Sequence, residues 1–392
     1  MTPAHLTEVT PDDRPDDRPP ARTAARTDRA VITAWSAVSP YGLGREAYAA
    51  GIAARRPTAA APDPDAWQTP DATACLVPGF DIRTVLGRAG TRTMDRGMGL
   101  AVTAVRELFA EAEADERPVT RGAGTALVLG TTWGGAAGQH NFSRASFVGE
   151  KPYDVPAQLM PNTLMNSSAG ASAIRFGLKG PNTTLAGGRP AALLALAYAR
   201  RLLAAGRAER ALVGAMEEYS GTRSWLERHS RGADEDQAAP LGEGCAVLLV
   251  EPADALPEDR PALAELLAID VRVDVTGDLP GTLRESVRHA LAESGVEPGE
   301  VWAAAGGGLT GAAGDAERTL LTELFGQEAA GRLVCHELIG DTASAQAAFQ
   351  LAAVLVAAAE DPASAGRAAV ITSVDREGLV ACGVLRLLGG AR

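Results

Sequence analysis

Residues 175–191 read Arg-Phe-Gly-Leu-Lys-Gly-Pro-Asn-Thr-Thr-Leu-Ala-Gly-Gly-Arg-Pro-Ala, and the interpretation of the chain starts from this stretch. Two consecutive glycines precede Arg189 and Pro190, and an Ala/Leu-rich run that is predicted to be a helix follows over residues 190–205. Proline suits the first position of a helix because its missing N–H would have no partner there. The stretch therefore leads directly into the N-terminus of a long helix.

Short β-rich apolar runs alternate with helical runs on both sides of this helix, which is the pattern of an α/β fold. The alternation restarts after the segment 252–261, which predicts two similar halves joined there. The predicted divisions are a tail over 1–29, an N-terminal half over 30–251 and a C-terminal half over 252–392. Strands are predicted at residues 30–37, 125–129, 211–215, 246–251, 267–275, 301–305, 368–373 and 379–387, and helices at 98–113, 190–205, 282–293, 316–325 and 343–359.

Composition limits the function classes. Residues 1–29 hold five prolines and almost no large apolar side chain, so a disordered tail is predicted. The apolar run 343–359 is short and carries two glutamines, which favours a buried helix over a membrane span. Four cysteines without a C-x-x-C pair are predicted to be buried in a reducing cytoplasm. A net charge of -12 with 4% aromatic residues gives no support to nucleic-acid binding, and no metal-ligand or cofactor motif occurs.

Five local motifs fall in the order and spacing of one known family. The motifs are Val38-Ser39-Pro40-Tyr41-Gly42, Met94-Asp95-Arg96, Pro161-Asn162-Thr163, Arg175-Phe176-Gly177-Leu178-Lys179-Gly180-Pro181-Asn182 and Leu241-Gly242-Glu243-Gly244. Through these motifs the chain resembles the β-ketoacyl synthases from residue 30 to its end, and this resemblance implies a five-layered αβαβα thiolase-like fold from two duplicated halves, with an obligate two-fold dimer.

The resemblance also implies that the catalytic positions have changed. Counting without gaps places Arg189 where active members carry the nucleophilic cysteine, and a guanidinium offers only hydrogen-bond donors. The two catalytic histidine positions correspond to Gly307 and Asp341, and the lysine position corresponds to His336. The loop that helps to form the oxyanion hole is replaced by residues 374–378, Val-Asp-Arg-Glu-Gly. We expect no independent condensing activity, because these departures remove the nucleophile and its preorganised donors together.

In active members the cysteine and the second histidine face each other. Arg189 and Asp341 are therefore predicted to form a buried ion pair that fills the former pocket. The alternative is that Arg189 points to solvent or to another neighbouring carboxylate.

Trp133 lies in the segment Gly130-Thr131-Thr132-Trp133-Gly134-Gly135, which is similar to the segment that lines the acyl tunnel at the dimer interface of ketosynthases. A large indole there would limit chain extension by steric exclusion. The alternative is an ordinary core residue or dimer-interface anchor. Phe142 and Phe147 are further candidates for the tunnel wall.

The resulting hypothesis is a non-catalytic ketosynthase-like subunit resembling the chain length factors (KSβ) of type II polyketide synthases. The implied partners are an active ketosynthase, in a heterodimer, and an acyl carrier protein with a phosphopantetheinyl-linked chain. Chain length factors as a family carry glutamine at the cysteine position, so Arg189 leaves open a branch that makes polyene or other reduced chains. The alternatives are a homodimeric acyltransferase that binds a carboxylate or a carrier-bound acyl group at Arg189, and a scaffold.

Overall fold

The computed structural model describes residues 29–231, 239–257 and 261–389, so nearly all of the predicted tail lies outside the described residues. The strands are β1 (Ala30–Ser39), β2 (Gly42–Leu43), β3 (Ala74–Cys75), β4 (Thr125–Thr131), β5 (Asn182–Ala186), β6 (Arg210–Glu217), β7 (Leu241–Gly242), β8 (Gly244–Pro252), β9 (Ala264–Val273), β10 (Val301–Ala305), β11 (Ala368–Val374) and β12 (Leu379–Leu387). The helices are α1 (Gly44–Ala53), α2 (Ile82–Leu86), α3 (Arg96–Ala114), α4 (Ala136–Val148), α5 (Ser167–Phe176), α6 (Ala191–Ala204), α7 (Gly221–Ser230), α8 (Leu279–Ser294), α9 (Ala312–Gly331), α10 (Cys335–Ile339) and α11 (Gln346–Glu360).

One large mixed sheet contains two sets of four strands with the same internal order. In the first set β4 and β6 are parallel, and β6–β8 and β8–β1 are antiparallel. In the second set β10 and β11 are parallel, and β11–β12 and β12–β9 are antiparallel. A short antiparallel pairing of Ala30–Ile32 in β1 with Ala264–Leu266 in β9 joins the two sets. The repeated order supports a duplicated α/β architecture, while the domain boundary after residue 251 stays a prediction.

The helices form layers on and between the two sets of strands. Helix α3 packs outside β1 and β8, and α8 and α9 pack outside the strands of the second set. Helices α6 and α11 contact each other and reach strands of both sets, so they form the central layer. The arrangement is the predicted αβαβα thiolase-like fold. Its central core joins Leu196 of α6 to Phe349 and Leu351 of α11.

Helix α11 is apolar because it lies in the middle of the protein. The window Ala343–Glu360 is long and apolar enough to span a membrane, but 78% of it is buried inside the protein. The side-chain NH2 group of Gln350 donates there to Ala305 O (3.0 Å) and to neighbouring carbonyls. The predicted buried helix is confirmed, although its first residues, Ala343–Ala345, form a 3-10 turn.

The elements that were not predicted include the edge strand β5 and the helices α1, α4 and α7. The predicted strand 267–275 begins three residues earlier, at Ala264, where β9 pairs with β1 and β12. The predicted helix 316–325 is longer, Ala312–Gly331, with a non-helical kink at Gly326.

Candidate functional site

Arg189 lies in the tight connection between β5 and α6. Gly188 has a positive φ of 54°, and a Cβ atom there would lie 2.2 Å from Asp375 Oδ2, so both the backbone angle and the space require glycine. The Arg189 N–H donates to the same Asp375 Oδ2 at 3.0 Å. Pro190 immediately precedes the first helical residue. This connection fixes the start of α6 and turns the Arg189 side chain inward.

The predicted ion pair between Arg189 and Asp341 is present. Arg189 Nη2 donates to Asp341 Oδ2, and both residues are only 6% exposed. The alternative in which Arg189 points to solvent is wrong, and Asp375 receives its backbone N–H rather than its guanidinium. Burial removes the water that would otherwise solvate both ions. The pair is tolerated in the interior because each charge neutralises the other.

A second buried arginine, Arg223, donates a hydrogen bond to the backbone of Asp341. Arg223 is fully buried and donates to the carbonyl oxygens of Asp341 (2.8 Å), Gly242 (2.7 Å) and Glu218 (2.9 Å). Burial alone would raise the pKa of the Asp341 carboxyl, but the positive charges of Arg189 and Arg223 hold it below its usual value. Asp341 is therefore ionised at neutral pH.

Gly307 and His336, the other changed positions, border the same region. Gly307 follows β10, and a Cβ atom there would lie 3.4 Å from Ser373 Cα and 3.6 Å from Glu317 Oε1. His336 in α10 packs against the backbone of Gly308, where an added Cβ would overlap the imidazole. Burial lowers the pKa of His336, so its imidazole is neutral at neutral pH.

Glu317 is a buried carboxyl that the sequence interpretation missed. It accepts hydrogen bonds from Thr372 Oγ1 (2.7 Å) and from the backbone N–H groups of Gly307 and Gly308. Burial nevertheless raises its pKa. Its role is to secure the glycine loop after β10.

Trp133 stands in the turn after β4, and Phe142 and Phe147 lie on α4, which begins three residues later. Trp133 is 42% exposed, so the ordinary core interpretation of this residue is wrong. Phe147 is 88% exposed, whereas Phe142 is half-buried. The structure brings Trp133 and Phe147 to the protein surface, and it places the turn that carries Trp133 beside the end of β5, since Thr131 pairs with Ala186.

Trp133 and Phe147 belong to a larger apolar surface. Its residues come from the Trp133 turn, α4, the 3-10 segment Ala157–Thr163, α5 and the loops between them, and the two helices each contact the 3-10 segment. Soluble monomers rarely expose so many large apolar side chains on neighbouring elements. The apolar surface consists of Trp133, Phe147, Val148, Tyr153, Met160, Leu164, Met165 and Ile174.

The family model for the β-ketoacyl synthase N-terminal domain matches residues 27–255, more than half of the 392 residues. The chain belongs to the β-ketoacyl synthase family. The ishigamide ketosynthase/chain length factor is 46% identical to it with a TM-score of 0.88, over 92% of this chain and 100% of that chain. This member is therefore a ketosynthase-like subunit that resembles those of type II polyketide synthases.

Two more distant solved structures show the fold alone. One is the AntDE:AntF complex of a type II polyketide synthase acyl-carrier protein with its ketosynthase, which is 17% identical with a TM-score of 0.74 over 93% of this chain and 100% of that chain. The other is a β-ketoacyl synthase from Burkholderia phymatum STM815, which is 19% identical with a TM-score of 0.77 over 92% and 99%. Both confirm the thiolase-like architecture.

The cysteines of this ketosynthase-like subunit are poor nucleophiles. All four are buried, and burial raises the pKa of each thiol, in the case of Cys335 to about 12. Cys335 precedes His336 but lies against Tyr48, whose hydroxyl oxygen is 3.9 Å from its Sγ. Acyl transfer needs a thiolate. Among the described residues none presents one at the Arg189 site, and no group of His, Cys, Asp and Glu there could hold a metal ion.

Proposed function

We propose that the chain is the non-catalytic subunit of a ketosynthase heterodimer, a chain length factor that helps to shape the tunnel in which a polyketide grows. The observation that carries this proposal is the buried Arg189–Asp341 pair, because it fills the place expected for the nucleophile with two fixed charges. A guanidinium that is always protonated can neither attack a thioester nor hold an acyl chain. Condensation must then take place on another chain.

The open edge of the sheet at β5 and the apolar surface support a partner with the same fold as this chain. Strand β5 lies at the end of the sheet and pairs with β4 alone among the strands in the described ranges. Its residues are partly exposed, and unpaired strand edges of this kind favour further pairing. Arg189 follows β5 in the chain, and α5, which carries part of the apolar surface, packs against β5. We assign this face to an active ketosynthase, which would pair along β5 and cover the apolar surface.

Trp133 is proposed to line the acyl tunnel at this interface, with Phe142 and Phe147 nearby. The growing chain would arrive on the phosphopantetheinyl arm of an acyl carrier protein, in the cytoplasm. Support for these partners comes from the similar ishigamide ketosynthase/chain length factor and from the ketosynthase solved with its acyl-carrier protein. The homodimeric acyltransferase alternative would need Arg189 free to bind a ligand carboxylate, whereas its Nη2 already pairs with Asp341 and the residue is buried.

Co-expression with candidate active ketosynthases tests the proposal. We expect a stable one-to-one complex, measured by light scattering after size-exclusion chromatography, that extends carrier-bound chains. Mutating the nucleophilic cysteine of the partner should abolish extension, because this chain contributes no nucleophile. A self-sufficient homodimer of this chain that transfers acyl groups would contradict the proposal and favour the acyltransferase.

A further inference from the structure

The turn that carries Trp133 is held by two buried carboxyls at the end of β6. The Thr132 N–H donates to Glu217 Oε2 at 3.2 Å, and the Ala137 N–H donates to Glu218 Oε1 at 3.1 Å. Glu217 and Glu218 are each 1% exposed. The backbone on both sides of Trp133 is thus fixed by side chains that lie below the turn.

Glu217 also contacts the chain that follows Asp341. Ser344 Oγ lies 2.8 Å from Glu217 Oε2 and 2.8 Å from Met216 O. A hydroxyl has one proton, and the Met216 carbonyl can only accept. Both contacts are satisfied together when Glu217 is protonated and donates to Ser344 while Ser344 donates to Met216. Burial raises the pKa of Glu217, which agrees with this proton count.

Asp341 fixes the position of Ser344. Asp341 Oδ1 accepts the Ala343 N–H at 2.9 Å, and Ala343 has a φ of +42°, which non-glycine residues rarely adopt. Such a strained residue persists only where its surroundings hold it. Because Arg189 holds the other oxygen of Asp341, the pair secures the 3-10 turn Ala343–Ala345 from which Ser344 reaches Glu217.

We propose that Arg189 and Asp341 are positioning residues for the Trp133 turn and act on it through Ser344 and Glu217. Arg189, which stands where active members carry the nucleophilic cysteine, would then help to hold the tunnel wall in place. Any effect on the length of the product chain rests on the proposed function of Trp133. The structural link from Arg189 and Asp341 to the Trp133 turn does not rest on it.

Hydrogen exchange of the full chain, with its partner bound, measures the link without reference to activity. Ser344→Ala removes the bridging hydroxyl, and the double variant Arg189→Met with Asp341→Leu removes the pair without leaving a lone buried charge. We expect each to speed exchange of the Thr132 amide, which Glu217 holds, by about tenfold, the scale of one lost buried hydrogen bond. Combining them should add little, because both break the same link.

Ser364→Ala is the matched control, since Ser364 is also buried and its hydroxyl donates to Ala358 O at 3.0 Å, a contact outside this link. It should leave exchange in residues 131–137 unchanged. Glu217→Gln, which keeps an amide oxygen for the Thr132 N–H, should disturb the turn less than Glu217→Ala.

Two outcomes distinguish the link between the Arg189–Asp341 pair and the Trp133 turn from the tunnel role of Trp133. Unchanged exchange in residues 131–137 for Ser344→Ala and for the double variant overturns the inference. Faster exchange with an unaltered product-length distribution supports the link and overturns the tunnel role of Trp133.

Discussion

Arg189 and Asp341 depend on each other, because each neutralises a charge that the protein interior would not otherwise tolerate. Asp341→Ala leaves a buried guanidinium without its carboxylate, and we expect it to lower the free energy of unfolding by about 3–5 kcal/mol. Arg189→Met with Asp341→Leu should lower it much less, since apolar groups of similar volume carry no hydration cost and only the Ala343 N–H loses its acceptor. Urea unfolding of the three proteins measures this difference.

Arg284→Ala is the control for that comparison. Arg284 pairs with Glu323 at 2.7 Å, but both side chains are about half exposed. Solvent screens such a pair, so the expected loss is below about 1 kcal/mol. A loss for Asp341→Ala no larger than that of Arg284→Ala would show that the inner pair is not buried in solution.

Trp133 gives the prediction for product length. Trp133→Ala in the heterodimer should shift products to longer chains by at least one elongation step, because removing the indole opens space in the tunnel wall. Trp225→Ala is the matched control, since Trp225 is 46% exposed but lies on α7 and stacks on His229. Mass spectrometry of the released products measures both. The same length distribution for Trp133→Ala and wild type would reject the tunnel role.

The sequence predicts part of the site and misses the rest for a physical reason. Arg189 and Asp341 occupy positions that can be counted from flanking motifs, and their opposite charges suggest the pair. Arg223, Glu217 and Glu317 act through contacts with segments far away in the chain. Only the folded structure brings those segments together, so no local pattern marks these three residues.

At the level of helices and strands, prediction succeeds where one face is continuously apolar. Helices α3 and α6 and strand β12 are amphipathic or fully buried, and each is predicted to within two residues at each end. Strand β5 is partly exposed and rich in threonine, and α7 is mostly polar, so neither has a clear periodicity. Their formation depends on β4 and on Ser220, whose side chain caps α7.

Glu218 makes the start of α4 sensitive to pH. Burial, together with the negative charge of Asp95, raises its pKa to about 7, while Arg96 is the nearby positive charge. The folded state therefore holds a proton that the unfolded state loses near pH 4.5. Stability should fall as the pH rises from about 4.5 to about 7, by about 3 kcal/mol, and level off above that.

Glu218→Gln tests this dependence, because the amide keeps an oxygen for the Ala137 N–H and does not titrate. Its free energy of unfolding, followed between pH 5 and pH 8, should change less than that of the wild type. Parallel curves for the two proteins would show that Glu218 ionises normally.

For the whole molecule, the apolar surface predicts where the partner binds. Ile174 is 86% exposed within that surface, and Val275, which is also 86% exposed, lies in the loop after β9. Ile174→Asp should weaken the heterodimer at least tenfold, because a buried, unpaired carboxylate opposes association. Val275→Asp should not. Analytical ultracentrifugation of both complexes measures the difference, and equal affinities would place the interface elsewhere.

The position of the apolar surface along the chain has a consequence for how the protein is made. All of its residues precede residue 175, whereas β9–β12 come after residue 263. At translation rates of about 5–20 residues per second, the residues of the surface are synthesised roughly 10–40 s before β12 is complete. During that time the central layer lacks α11 and the apolar surface is already present. A partner ketosynthase synthesised nearby could cover it before synthesis ends, so the timing and location of translation would decide the yield of the complex.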